Sequence, residues 1–386
     1  MMELPIALQT RDDLDDILIQ AVQMNASDVH FSSDLRLSVR QHGVIQPVSL
    51  RTITMTELSN LLVASQDENT SVLSIVNSGE DLDFAYVCKK PFNDEYCRFR
   101  VNASSKQANG KNGLSIVFRA INPHPPCVED LGVEDDIIDC MTNLTKGLAI
   151  VAGPTGSGKS TLLAAINRKR LETRSEVMIT HESPIEFVYD EVETDSVVNQ
   201  REIGHSGNYK TFYDALVGAL RQDPDLILVG EARDRETINA AIHGVQTGHA
   251  LFTTVHTQGV AQTINRIVKE FESHEREAKL MDIIDSMAII VYQNLVPSVD
   301  GKRVALREYL IFDGEVKDRL RESPINALFT NTYSALIDKG QTLLMDAKKH
   351  LESGRIDKNI YRKIEKQFEA DISKIGLNKT HKGTLS

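Results

Sequence analysis

Gly153-Pro154-Thr155-Gly156-Ser157-Gly158-Lys159-Ser160-Thr161, preceded by the apolar run Leu148-Ala149-Ile150-Val151-Ala152, decides the fold. An anion needs several donors at once. A loop of small residues entering a helix turns successive backbone N–H groups toward one point, where the helix dipole adds to them. Gly156 and Gly158 are expected to supply backbone angles that other residues avoid. Lys159 is expected to reach the β- and γ-phosphates of ATP, and the Ser160 hydroxyl to sit on Mg²⁺. Leu162, Leu163 and Ile166 continue at helical spacing, so strand, loop and helix follow in the order this chemistry needs.

Downstream of the loop, strand and helix patterns alternate. Strands are expected at Glu176–Thr180, Leu226–Val229 and Ala250–Val255, and helices at Tyr209–Leu220, Arg235–Val245, Ala261–Phe271 and Glu275–Ala288. Further strands follow at 289–292 and Val304–Phe312, which together describe a parallel, doubly wound sheet. Upstream, a helix over 13–24 is stopped by Asn25–Asp28, and short strands read at Val29–Phe31, Leu35–Val39 and Val44–Ile45. Helices opening at Thr56 and around Val72–Val76 come next. Strands at Asp81–Val87, Tyr96–Ser104 and Leu114–Arg119 close this α+β part, with Lys106–Gly113 as a polar loop between the last two. Pro123, Pro125 and Pro126 can continue neither helix nor ladder. The expected organisation is therefore an α+β domain over 1–120, a linker over 121–128, a nucleotide domain over 129–318 and a basic helical extension over 319–386.

The 386 residues carry a formal charge of −12 and a sequence pI near 5.4, which disfavours wrapping a nucleic-acid duplex. Asp12, Asp13, Asp15 and Asp16 stand where a secretory leader would be basic and then apolar. No apolar run approaches the ~18 residues that span a bilayer. A cytoplasmic protein is expected, touching a membrane only through partners. Cys88, Cys97, Cys127 and Cys140 are scattered without a Cys-x-x-Cys pair, so buried thiols are expected rather than a zinc or disulfide site.

ATP hydrolysis needs a carboxylate to activate water, a second to organise the magnesium shell and a polar group to sense the γ-phosphate. Asp225-Leu-Ile-Leu-Val-Gly-Glu231 ends an apolar strand in a carboxylate, at the edge where open α/β sheets bind ligands. Glu182 follows another strand to that edge and is the expected base. Glu186 and Asp225 read equally well as structural charges. His249 and His256 flank one strand; about seven steps of ~3.3 Å put them too far apart for one metal ion. His256 fits a γ-phosphate sensor. Arg98, Arg100 and Arg119 lie on strands of the first domain, away from the loop in sequence. Arginines there could complete a neighbouring subunit's site or simply face solvent.

These residues resemble the PilT/GspE secretion ATPase superfamily over about 25–312. Its signatures stand here as Ala26–His30, Arg98–Asn102, Val117–Arg119, Gly153–Thr161, Glu182–Phe187, Val198–Arg201, Leu220–Asp225, Gly230–Asp234, and Thr247–His249 through His256-Thr257. The resemblance implies a homo-hexamer in which an N-terminal PAS-like domain closes over a neighbour's RecA-like P-loop domain, with ATP and Mg²⁺ as cofactors. It implies Glu182 as catalytic glutamate, Glu231 as the Walker B acid reaching magnesium through water, and His249 and His256 as the histidine box. Arg100, Arg119 and Arg233 match arginines that reach nucleotide. The usual acid after the catalytic glutamate is Ser183 here, so its role does not carry over. The four-cysteine zinc module of assembly-type members is absent. Lys339–Thr342, Asp346–Lys348 and Gly354–Ile356 resemble the type IVB secretion and conjugative-transfer branch more than pilus retraction motors.

The expected function is thus an ATPase docked on an inner-membrane secretion or conjugation channel. A pilus retraction ATPase of the same fold is the alternative. A DNA-translocating motor would need a basic channel bearing aromatics, and the chain has no Trp; a non-hydrolysing switch would not need both Glu182 and Glu231. In the extension, Ile356, Ile360, Ile364, Phe368 and Ile372 recur every fourth residue as one helical stripe, covered either by the chain itself or by a partner.

Overall fold

Thr10 caps α1 (Arg11–Gln23) by accepting from the Asp13 N–H while Asp13 accepts from the Thr10 N–H, and Thr54 with Glu57 repeats the device at α2 (Met55–Ser65). These two helices and α3 (Ser71–Asn77) cover one face of an antiparallel sheet. Its strands are β1 (Ala26–Ser32), β2 (Leu35–Gln41), β3 (Val44–Ile53), β4 (Leu82–Phe92), β5 (Glu95–Ala108) and β6 (Lys111–Ile121), in the spatial order β3-β2-β1-β6-β5-β4. Phe118 is the centre of the core, with Phe31, Tyr86 and Phe99 edge-on at 5.5, 5.7 and 6.2 Å. The computed structural model describes residues 2, 4–93, 95–108, 110–121, 124–204 and 207–374. Lys379 and Lys382 of the basic extension, and Asn122 and Pro123 of the linker, lie outside these.

The second sheet has the order β13-β12-β7-β11-β10-β8-β9. Strands β7 (Gly147–Ala152), β8 (Val177–Glu182), β10 (Leu226–Val229), β11 (Ala250–Val255) and β12 (Met287–Pro297) pair in parallel, while β13 (Arg303–Ile311) runs antiparallel to β12. β9 (Val197–Glu202) is the edge. Helices α4 (Asp135–Thr142) and α5 (Lys159–Thr173) share a core with one face, and α6 (Phe212–Ala219), α7 (Arg235–Gln246), α8 (Val260–Lys269) and α9 (Arg276–Ser286) with the other. This is a doubly wound α/β layer structure. Arg170, fully buried, ties the end of α5 to Glu176 before β8 through two hydrogen bonds of 2.8 and 2.6 Å. Among the described residues four more α-helices follow: α10 (Gly314–Arg321), α11 (Leu328–Lys339), α12 (Leu343–Glu352) and α13 (Lys358–Lys374).

By contact density the chain divides into residues 1–124 with 182–188 and 200–211, and residues 125–181 with 189–199 and 212–386.

Several elements differ from the sequence expectation. Within Asn25–Asp28, where the helix was expected to stop, Asn25 alone is left-handed, at φ 56°, and Ala26 already begins β1. The expected polar loop over Lys106–Gly113 is mostly ladder, with Lys106 opposite Gly113 and Gln107 opposite Asn112, because hairpin pairing needs no apolar side chains. β9 was not expected as a strand, its sequence being polar after two valines. Helix α9 stops at Ser286, and Met287 opens β12. Ile356 is buried but precedes α13, so the five-residue stripe is not on one helix. Ile360 and Ile364 pack on Val296, Val304, Leu306, Ala347 and Ile356, and Phe368 and Ile372 on the main core, with Phe368 6.2 Å from the Tyr333 ring. Burying an aliphatic side chain fully contributes about 2 kcal/mol, so four partly buried ones hold α13 to its own chain.

Candidate functional site

All six residues of β7 are buried, and the strand delivers the glycine-rich loop to the carboxyl edge of the sheet. The Gly153 N–H donates to Val255 O at 3.2 Å, which ties the loop's start to the end of β11. Gly153 has φ 154°, and a Cβ there would meet the Gln293 carbonyl at 2.4 Å and Ser157 Oγ at 2.5 Å. Gly156 and Gly158 are left-handed at φ 76° and 84°. Lys159 is buried, and its ammonium donates to Gly153 O at 2.9 Å and Pro154 O at 3.1 Å, so the loop is held closed on its own lysine. Ser157 Oγ is buried without a hydrogen-bond partner. Pro154, Thr155 and Ser160 are exposed, and Thr161 is half-buried in the first turn of α5. An orphaned buried hydroxyl, a lysine at the foot of the loop and a helix N-terminus fit a polyphosphate. Lys159 would hold it, and Ser160 would hold the Mg²⁺ that neutralises its charge.

On the same edge, β10 ends at Val229 and Thr254 Oγ1 donates to Gly230 O at 2.6 Å, fixing the turn that presents Glu231. Glu231 lies 2.7 Å from Arg233 Nη2 and 3.4 Å from His256 Nε2. The bond to Glu231 raises the Arg233 pKa further above its usual range. His256 directly follows Val255, the residue bound to the loop, and its carbonyl accepts from Arg266 at 2.8 Å. Glu231, Arg233 and His256 therefore form one cluster. His249 does not join it. It precedes β11, its carbonyl accepts from the Gly147 N–H at the start of β7, and its Nδ1 lies 3.0 Å from Gly244 O. A six-residue strand at ~3.3 Å per residue separates it from the loop end of the sheet. His249 thus lies at the opposite end of β11 from the loop of its own chain. Asp225 has the structural role: it accepts from the Val177 N–H at 2.8 Å.

Glu182 is the last residue of β8, half-buried, with Gln200 Nε2 at 3.3 Å from its Oε1 and the Ile203 N–H bonded to its carbonyl at 2.7 Å.

The first sheet gathers its arginines on the face away from its helices. Asp28 pairs with Arg119 across β1 and β6, and Arg119 with Arg100 across β6 and β5, so the three side chains share that face. Arg119 donates to Asp28 at 2.8 Å, and Arg100 to Glu186 at 3.3 Å. Burial acts to raise the Asp28 pKa, but its bonds to Arg119 and Ser27 outweigh this and hold it below the usual carboxylate range.

Gln293 and Arg307 escaped the sequence reading although both are buried, Gln293 against the loop and Arg307 against Gln293. Their signal was a polar residue inside an otherwise apolar strand.

A phosphate-binding loop leaving an interior strand of a mainly parallel α/β sheet, with an acid and a histidine on its edge, defines a P-loop nucleoside triphosphatase. The chain belongs to the family described as "Type II/IV secretion system protein", which it matches over residues 9–383. It is 33% identical over 361 residues to the "Type IV pilus retractation ATPase PilT" of Pseudomonas aeruginosa, covering 92% of this chain and 98% of that protein. Among solved structures, the Legionella pneumophila ATPase DotB aligns with a TM-score of 0.88 and 38% identity, covering 95% of this chain and 98% of that one. The pilus retraction motor PilT with bound ADP aligns at 0.78 and 31%, covering 91% and 96%. The membership expected from the signatures holds. Among the described residues, no helix is long and apolar enough to cross a membrane.

Proposed function

We propose that the chain is a Mg²⁺-dependent ATPase that works as a homo-hexamer on the cytoplasmic side of the inner membrane and powers transport through a type IVB secretion or conjugative-transfer channel. The observation that carries this reading is the likeness to DotB over nearly the whole chain. In it, residues 1–120 act as the PAS-like domain and 129–318 as the RecA-like domain, with the extension over 319–386. Lys159 and the loop hold the phosphates, Glu182 takes the proton of the attacking water, Glu231 orders the magnesium shell, and His256 senses the γ-phosphate. Arg233 neutralises charge beside Glu231. Arg100 and Arg119 reach the nucleotide of a neighbouring subunit.

Pilus retraction is the second reading, supported by the near full-length relation to PilT. A gene deletion in the source organism separates the two. The first reading expects loss of effector or plasmid transfer with pilus retraction intact. Loss of retraction with transfer intact would favour the second.

A further inference from the structure

We propose that Gln293 and Arg307 are positioning residues that set the shape of the phosphate loop from beneath, and that Asp346 of α12 braces them, making the tail part of the nucleotide site. The inference rests on the reading of the loop as a nucleotide cradle.

β12 lies beside β7, with Tyr292 opposite Ala152, the last residue of β7. Gln293 is therefore the first β12 residue past the end of that strand, where the loop begins. It meets the loop at three points. Its Nε2 donates to Ser157 O at 2.7 Å, the same Nε2 would be 2.9 Å from a Cβ on Gly158, and its carbonyl would be 2.4 Å from one on Gly153. The bond to Ser157 has a directional consequence. C=O and the following N–H are antiparallel in a planar trans peptide, so drawing the Ser157 carbonyl toward Gln293 turns the Gly158 N–H away from β12, as an anion-binding loop requires.

The other end of the Gln293 amide is also held. β12 and β13 pair Gln293 directly with Arg307, whose Nε donates to Gln293 Oε1 at 2.8 Å. This fixes the amide's orientation, because only the oxygen can accept from a guanidinium. The remaining Arg307 donors go to Gly132 O at 2.8 Å, Leu131 O at 3.1 Å and Glu134 Oε2 at 3.2 Å. From the tail, Asp346 Oδ2 accepts the Arg307 main-chain N–H at 2.8 Å, and Gln341 bonds Glu134 at 2.8 Å and Arg307 O at 3.2 Å. Both side chains are almost wholly buried. Apolar residues would fill these strands without the desolvation that a buried guanidinium and amide incur. What the polar pair adds is a fixed orientation for one loop carbonyl.

Gln293→Glu separates the two halves of the relay, since a carboxylate still accepts from Arg307 but has no proton to give Ser157 O. Two readouts on the full chain test it: hydrogen exchange of the loop peptide without nucleotide, and Mg-ADP affinity by calorimetry. The expected result is faster exchange confined to the loop, about tenfold weaker ADP binding and a melting temperature within a few degrees of wild type. A folded Gln293→Glu chain with unchanged loop exchange would overturn the positioning role. If loop exchange rises but the wild-type chain binds no Mg-ADP, the nucleotide reading fails while the geometric role stands. Asp346→Leu should also speed loop exchange, and unchanged exchange in that folded variant would remove the tail from the relay.

Discussion

Lys159 is buried with its ammonium on two backbone carbonyls of its own loop, whereas Arg119 is 66% exposed and Arg100 43% exposed, each leaning on a carboxylate. The lysine is fixed: β7, two left-handed glycines and Gln293 hold the loop in shape. The arginines are only stored. The Arg100–Glu186 pair is exposed on both sides and contributes about 0–1 kcal/mol, so a phosphate could take that guanidinium at little cost, whereas Arg119 leans on the buried Asp28, which would be left with Ser27 and, at 3.8 Å, Arg40. A fixed cradle with arginines held on another sheet is what the proposed two-subunit site would need.

The largest expected effect breaks the fixed half. Lys159→Ala should lower ATP turnover by about a thousandfold or more and weaken nucleotide binding, read by phosphate release and calorimetry; wild-type turnover would contradict the assignment of the loop. Next, Arg119→Ala should cost about a thousandfold in turnover while Mg-ADP binding by each subunit's own loop stays near wild type. Mixing Arg119→Ala chains with Lys159→Ala chains should restore part of the activity, because mixed rings contain sites with an intact loop and an intact arginine. Inactive mixtures with verified co-assembly would count against donation between subunits.

A smaller effect separates buried from exposed charge within the nucleotide unit. Burial raises the Glu308 carboxyl to about 7, although the Val260 N–H bonds it at 2.9 Å. The folded state therefore favours its neutral form. That contribution is complete below the unfolded value near 4.5 and is lost as pH rises toward 7. Relative to Glu308→Gln, the wild-type chain should lose about 3 kcal/mol of unfolding free energy between pH 4.5 and pH 8, read by urea titrations. Parallel pH profiles for the two chains would remove the argument.

The loop, β10, β11 and the clustering of Glu231 with His256 were legible because apolar runs bounded by glycines and acids fix both strand and strand end. The arginine row was legible as residues but not as a row, since only the register of β1, β6 and β5 puts Asp28, Arg119 and Arg100 side by side. β9 and the far end of the β5–β6 hairpin stayed hidden because backbone ladders leave no mark in polar sequence. The separation of His249 from His256 was legible too, since the two flank Ala250–Val255, and only the shared motif grouped them. Gln293, Arg307 and Glu308 were visible as polar interruptions of apolar strands, yet their partners, from Ser157 to Asp346, are distant in sequence and close only in the fold.

In the proposed reaction Glu182 is the base for ATP hydrolysis. Glu182→Gln keeps the side chain's shape but cannot accept a proton from water, so Mg-ATP affinity and phosphate release should be measured together on that variant. Affinity should stay within about threefold of wild type while turnover falls by at least about a hundredfold. Turnover equal to wild type, with binding intact, would contradict it and move the base elsewhere.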